Sequence, residues 1–231
     1  MCIRDSLKEA RQQIARMINA ESDEDLIFTS GGTESSNLAI KGFADANIRT
    51  KGNHIVVSAI EHPSVMNSVE YLTKHGFEVT QVPVDDIGRI NPEDVRAALT
   101  PKTALVCVHL VNHDIGTIQP VKEIARITAE KGIALYADAL AAAGWMPIDV
   151  QDLGVQLLSF SPHHFYGPKG IGVLYRSRKA RVTSHIHGGV QEGGRRAGTE
   201  NVPAIIGAGV AADFAVREMA QRCLLYTSRC V

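Results

Sequence analysis

Short apolar runs alternate with amphipathic stretches along most of this chain. Residues 26–29, 55–57, 79–82, 104–108, 133–136, 155–160 and 171–175 are dominated by Ile, Val, Leu, Phe and Tyr. Most lack the apolar–polar alternation of a strand with one wet face, so they predict strands buried on both faces. Between them, residues 7–20 place Leu7, Ile14, Met17 and Ile18 on one helical face. Helices are also predicted over 33–46, 63–75 and 120–131. Pro63 suits a first helical turn. A further helix starts at Pro92, where Asn91 caps and Glu93 and Asp94 favour the positive end. Apolar strands separated by helices predict an α/β fold with a mostly parallel sheet covered on both faces. Such sheets bind ligands at the carboxyl ends of their strands. Four polar clusters fall there: residues 30–34, Glu61-His62, Asp138 and residues 161–164.

Composition adds limits rather than a function. The chain has 231 residues, 45% hydrophobic and 21% charged, with a formal net charge of −1. That balance supports one sizeable core and gives no electrostatic case for nucleic acid or an anionic membrane. No apolar run approaches the roughly 20 residues of a membrane span. No charged-then-apolar leader opens the chain, so a cytoplasmic protein is expected.

Three of the four cysteines, Cys2, Cys223 and Cys230, lie in terminal segments with an unusual property. Residues 1–6, Met-Cys-Ile-Arg-Asp-Ser, back-translate to the mosaic end used in transposon-based sequencing libraries. The start of 223–231 back-translates to its reverse complement, and the end begins the element again. A natural helix or tail is the plain alternative, but opposite orientations of one element at both ends argue against chance. Residues 7–222 are therefore expected to be the genuine domain fragment. Its single cysteine, Cys107, sits in an apolar run and is expected to be a buried small hydrophobe.

Local chemistry leaves alternatives open. Ser30-Gly31-Gly32-Thr33-Glu34-Ser35 follows a strand and opens a helix, as a phosphate site does. A plain capping turn has the same pattern, and no Gly-Lys-Ser/Thr follows to make a Walker loop. Asp138 ends a strand, where a carboxylate favours the charged form of a heteroaromatic nitrogen; capping residues 139–144 is the alternative. His62 before Pro63 suits either stacking on a ring or capping. His109, His113, His163, His164 and His187 with Asp138 raise a metal site as a weaker reading, since no tight ligand motif accompanies them.

Taken together, the motifs resemble the class V aminotransferases, and among them the cysteine desulfurases. The matching segments are residues 28–39 (FTSGGTESSNLA), 61–65 (EHPSV), 112–120 (NHDIGTIQP), Asp138-Ala139, 159–172 (SFSPHHFYGPKGIG) and 196–203 (RAGTENVP). They occur in family order and spacing over nearly all of residues 7–222. The resemblance implies a three-layer fold-type-I large domain binding pyridoxal 5′-phosphate, usually in a homodimer. It also implies sulfur transfer from cysteine to an acceptor protein. By position, Gly32 and Thr33 fall in the phosphate loop, His62 stacks on the ring and Asp138 pairs with the pyridine nitrogen. Ser161 and His163 reach the phosphate, and Thr199 reaches that of a partner subunit's cofactor.

The departures are equally specific. The family's Schiff-base lysine falls on His164. An asparagine at the ring hydroxyl falls on His113, and a nearby glutamine on Ala141. Lys169 is no replacement, because family members carry that lysine as well. An imidazole forms no stable link to the cofactor aldehyde, so non-covalent binding and changed or lost catalysis are expected. The family's opening strand and its C-terminal small domain, with the persulfide cysteine, have no counterpart here. The chain alone is therefore expected to be inactive, and an uncovered apolar edge is expected to limit its solubility.

Overall fold

The computed structural model describes residues 3–229; Met1, Cys2, Cys230 and Val231 lie outside the described residues. Among the described residues, seven strands form one sheet: β1 (Leu26–Thr29), β2 (His54–Ser58), β3 (Glu78–Val82), β4 (Thr103–His109), β5 (Ala134–Asp138), β6 (Leu157–Phe160) and β7 (Gly172–Arg176). The helices are α1 (Ile3–Met17), α2 (Gly32–Asn37), α3 (Phe43–Lys51), α4 (Pro63–Thr73), α5 (Pro92–Ala98), α6 (Val121–Glu130), α7 (Val150–Leu153) and α8 (Val202–Arg229). All seven expected strands form, with ends shifted by a few residues.

The sheet order is β1-β7-β6-β5-β4-β2-β3. Strands β2 to β6 pair in parallel, and β7 runs antiparallel to both β6 and β1. Two reversals cancel, so β1 points the same way as the parallel set. The carboxyl ends of β1, β2, β4, β5 and β6 therefore share one edge, and all four polar clusters meet there.

Side chains leave the sheet alternately on its two faces. Val106 and Val108 of β4 join one core with Leu135, Leu158, Phe160, Ile14 of α1, Ile124 of α6 and Ile205 of α8. Leu105 and Cys107 join the other with Tyr136, Phe43 of α3 and Val65, Val69 and Leu72 of α4. This makes three layers: helices, sheet, helices. Cys107 is fully buried, as expected, and burial pushes its thiol well above the usual range.

Several helix ends differ from expectation for local reasons. Helix α1 stops at Met17 because Asn19 turns left-handed at φ 50° and Ala20 N–H donates to the Ala15 carbonyl. Helical backbone extends through parts of both terminal segments. The expected helix over 33–46 runs as α2, a π turn (Leu38–Gly42) and α3. At that turn the Gly42 carbonyl accepts Thr183 N–H at 2.9 Å, an outside bond that fits a local loosening of the helical ladder. Residues 139–144 form turns, not a helix. Strand β3 is only partly buried, as befits a sheet edge.

Gly172 pairs with Thr29, and a Cβ there would run into the Gly31 backbone and lie 2.6 Å from Thr29 Oγ1. Backbone cannot swing aside as a side chain can. Gly172→Ala is expected to cost about 1–3 kcal/mol, read as a lower urea midpoint; an unchanged midpoint would show that the strand pair slides freely.

Candidate cofactor site

The loop after β1 is held by a residue far away in sequence. Ser161 is wholly buried; its hydroxyl accepts Gly32 N–H and donates to the Ile171 carbonyl, both at 3.1 Å. This bridge ties the start of α2 to the loop after β6. A Cβ at Gly31 would meet nothing within 4 Å, whereas one at Gly32 would strike Leu140. The backbone is thus open at Gly31 and pressed close at Gly32. Thr33 and His163 are exposed on the same edge.

His62 and His164 approach this edge from other loops. His62 is the N-cap of α4: Nδ1 accepts Ser64 N–H at 3.1 Å and contacts Ser64 Oγ at 2.8 Å. Capping spends one ring nitrogen and leaves the ring faces free, so capping and stacking are compatible. The His113 ring lies edge-on, 5.0 Å away at 77°. Burial first, then His113, lowers the His62 pKa. His163 and His164 rings lie 4.5 Å apart. Loss of part of its water shell, then His163 and His62, lowers the His164 pKa as well, so His164 is neutral at pH 7. Position 164 is fixed by its main chain: its N–H donates to the Ser161 carbonyl at 3.1 Å, and its carbonyl accepts Trp145 Nε1–H at 3.0 Å. Among the described residues no three His, Cys, Asp or Glu side chains converge as a metal site.

Asp138 closes the site from the sheet. It is 5% exposed, and its Oδ1 accepts Leu140 N–H at 2.9 Å. No hydrogen bond reaches Oδ2 among the described residues. Burial is the largest influence on it; with the nearby Glu61 charge it outweighs Leu140 N–H and His109 and raises the pKa to about 7. A buried carboxylate so short of partners suits a cation. Beneath it, Tyr136 OH bonds Ser159 Oγ at 2.6 Å and Ser36 Oγ at 2.8 Å, locking β5 to β6 and α2.

Two arrangements escaped the reading from sequence. Glu61 Oε1 accepts both His109 N–H at 2.8 Å and His109 Nδ1–H at 2.6 Å. Arg196 forks onto Glu34, Nε to Oε1 at 2.9 Å and Nη2 to Oε2 at 3.3 Å. Burial raises the Glu34 pKa, but the Arg196 and Ser30 hydrogen bonds outweigh it and hold the carboxyl low. This clasp brings the loop carrying Thr199 beside Ser30 in a cleft of about 210 Å³. Thr199 is exposed there. Clasp partners 162 residues apart leave no local signal.

A three-layer α/β domain with its polar residues gathered at the carboxyl edge of a mostly parallel sheet is the large-domain architecture of fold-type-I pyridoxal-phosphate enzymes. The family profile "Aminotransferase class-V" matches residues 2–223, and the chain belongs to that family. It is 49% identical over 216 residues to cysteine desulfurase IscS of Dictyoglomus turgidum, covering 94% of this chain and 54% of that protein. It is 49% identical over 210 residues to cysteine desulfurase IscS of Methanosarcina thermophila, covering 91% and 52%. The chain thus spans about half the length of these curated relatives. Among solved structures, a NifS-like protein matches with a TM-score of 0.91 at 36% identity, covering 95% of this chain and 60% of that one. SspA in complex with cysteine matches at 0.87 and 39%, covering 91% and 61%. The domain is cysteine-desulfurase-like, in a family that depends on pyridoxal phosphate. No described helix is long and apolar enough to cross a membrane.

Proposed function

We propose that this chain is the pyridoxal-phosphate-binding large domain of a cysteine-desulfurase-like protein, and that it holds the cofactor without a covalent bond. The observation that carries this is Asp138: buried, one oxygen unpartnered, at the edge where His62, Thr33 and Ser161 gather. Bound there, pyridoxal phosphate supplies an electron sink for chemistry on an amino acid. Asp138 would hold the ring nitrogen in its charged form. His62 would cover a ring face while its Nδ1 stays on the α4 cap. Thr33 and His163 would hold the phosphate end, Gly32 and Ser161 would join them by exchanging their present hydrogen bonds for bonds to the phosphate, and His113 would lie at the ring's polar edge. Thr199 would serve the site of a second copy in a homodimer. His164 stands where the family's lysine falls. With a neutral imidazole it accepts or donates a proton but forms no bond to the cofactor aldehyde.

The names of the relatives support an amino-acid substrate, cysteine; on this proposal its sulfur passes to an acceptor protein in the cytoplasm. A solved relative bound to cysteine supports that class. The same His164 favours a second reading, a non-catalytic scaffold that keeps the cofactor or a similar phosphate. Residues 1–6 and 223–231 belong, on this proposal, to sequencing adapters rather than to the domain.

The test is borohydride treatment of the chain loaded with pyridoxal phosphate, followed by peptide mapping. The expected result is cofactor that co-purifies on a desalting column, is released by denaturant, and leaves no pyridoxyl-lysine. Cysteine should yield no alanine. A mapped lysine adduct overturns non-covalent binding, and a chain that retains no cofactor overturns the cofactor reading itself.

A further inference from the structure

One buried acid in this region has no role in the reading above. Glu61 follows β2 and is 6% exposed. Its Oε1 takes two hydrogen bonds from His109, while Oε2 is buried with no partner among the described residues. His109 is the last residue of β4 and is paired in register with Asp138, the last residue of β5. The acid is thereby tethered to the strand next to Asp138, on the edge where the cofactor's ring nitrogen would lie.

The hydrogen bonding of this pair is set by a third member. Gln119 Oε1 accepts Ile90 N–H at 2.9 Å, and its Nε2 donates to the Gly88 carbonyl at 2.6 Å, so the amide cannot be turned round. Its remaining N–H meets His109 Nε2 at 3.3 Å, which requires a lone pair on that nitrogen. The Nδ1 proton of His109 is thus the one donated to Glu61. Glu61 acts on Asp138 as a negative charge, and its upward effect exceeds the downward one of His109. The other titratable groups acting on the two acids are Cys107 and Tyr136, from β4 and β5, and His62 from the α4 cap. Burial keeps the thiol and phenol protonated, and His62 is neutral at pH 7. Among the described residues of these elements, Glu61 is then the acid whose charge raises the Asp138 pKa.

We propose that the Glu61–His109 pair is a positioning element of the ring-nitrogen site, and that the site exchanges one proton for one cationic heterocycle nitrogen. Below neutral pH, Asp138 carries the proton. A ring that arrives as N–H⁺ displaces it to solvent, and the carboxylate and the ring cation remain as a pair. Burial, with the Glu61 charge adding to it, places the exchange near pH 7 instead of in the ordinary carboxylate range. It also favours a cation over a neutral ring in the same pocket. This rests on the pyridoxal-phosphate reading for its ligand, but not for the coupling of the two acids.

Two measurements separate those parts. The first is a ¹³C-carboxyl NMR titration of the ligand-free chain. The Asp138 midpoint is expected near 7 in the parent and at least about half a unit lower in Glu61→Gln, on the order of the coupling between neighbouring carboxylates. Glu61→Asp, which keeps the charge, should restore most of the shift. In Glu61→Gln the amide oxygen still accepts the His109 hydrogen bonds, and retained amide dispersion confirms that the variant is folded. The second is calorimetric binding of pyridoxamine 5′-phosphate, which has no aldehyde, at pH 6.5 in two buffers of different ionisation heat. The parent is expected to release most of one proton per ligand, and Glu61→Gln at most about two-thirds as much. An Asp138 midpoint that does not move in Glu61→Gln overturns the pair, whatever the chain binds. Equal proton release by parent and variant overturns the exchange. A shifted midpoint in a parent that binds no pyridoxal compound upholds the pair and overturns the cofactor reading.

Discussion

At pH 8 the Asp138→Asn variant is expected to be more stable than the parent by up to about 4 kcal/mol, while at pH 4 the two are nearly equal. Burial, joined by the Glu61 charge, raises the Asp138 pKa from the usual carboxylate value to about 7. The folded state therefore holds this proton over a range where the unfolded state has lost it. Stability from a raised acid is fully present below the unfolded pKa and is lost as pH rises toward and through 7. Above that point the parent must keep a buried anion with one hydrogen bond. Asparagine keeps an oxygen for Leu140 N–H and carries no charge to desolvate. Urea unfolding from pH 4 to 8 should show the two curves separating with rising pH. A variant no more stable than the parent at pH 8 would sink the idea. Saturating pyridoxal phosphate should narrow the gap, because only the parent offers the ring a carboxylate. The residue is thus expected to cost stability where it serves binding, a common pattern at functional sites.

The second large effect is a gain. His164→Lys is expected to capture pyridoxal phosphate covalently, with apparent affinity at least about tenfold higher, or roughly 1.4 kcal/mol. Lysine brings the primary amine that an imidazole lacks. The surroundings suit it: position 164 is held by main-chain bonds to Ser161 and Trp145, which do not depend on its side chain. Partial desolvation there already opposes positive charge, and the same effect lowers a lysine pKa toward the reactive neutral amine. Borohydride should fix the cofactor to residue 164 in this variant and to no residue of the parent. Fixation at the exposed Lys169 instead would show that the ring does not lie against position 164.

Much of the fold was legible because strand signals are local. The apolar runs at 104–108 and 133–136 need only their own residues to announce a strand buried on both faces, and they became β4 and β5. The polar clusters were legible too, since a parallel sheet collects strand ends on one edge. Helix α8 was not anticipated. Its apolar face is built largely from Ala204, Ala208, Ala212 and Ala215, which give weak hydrophobic contrast. Gly209 lies so close to α1 that a Cβ there would sit 2.6 Å from Ala10 Cα. That helix is defined by close packing on α1, which periodicity does not report. Asp138 as a helix cap also proved only half legible: it does cap Leu140 N–H, but over a turn.

The amino-acid sequence by itself determined the class of fold, the order of the family motifs and the histidine at position 164, because each depends on residue identity or short-range period. Tertiary structure decided what those residues face. Reversed β7 enters between β1 and β6 and so brings Ser161 to Gly32 across 129 positions of chain. Register between β4 and β5 sets His109 beside Asp138, and His109 in turn holds Glu61 from 48 residues away. Such pairings appear only when loops close and water is excluded. The same burial turns Asp138 from an ordinary surface acid into a proton carrier near neutral pH.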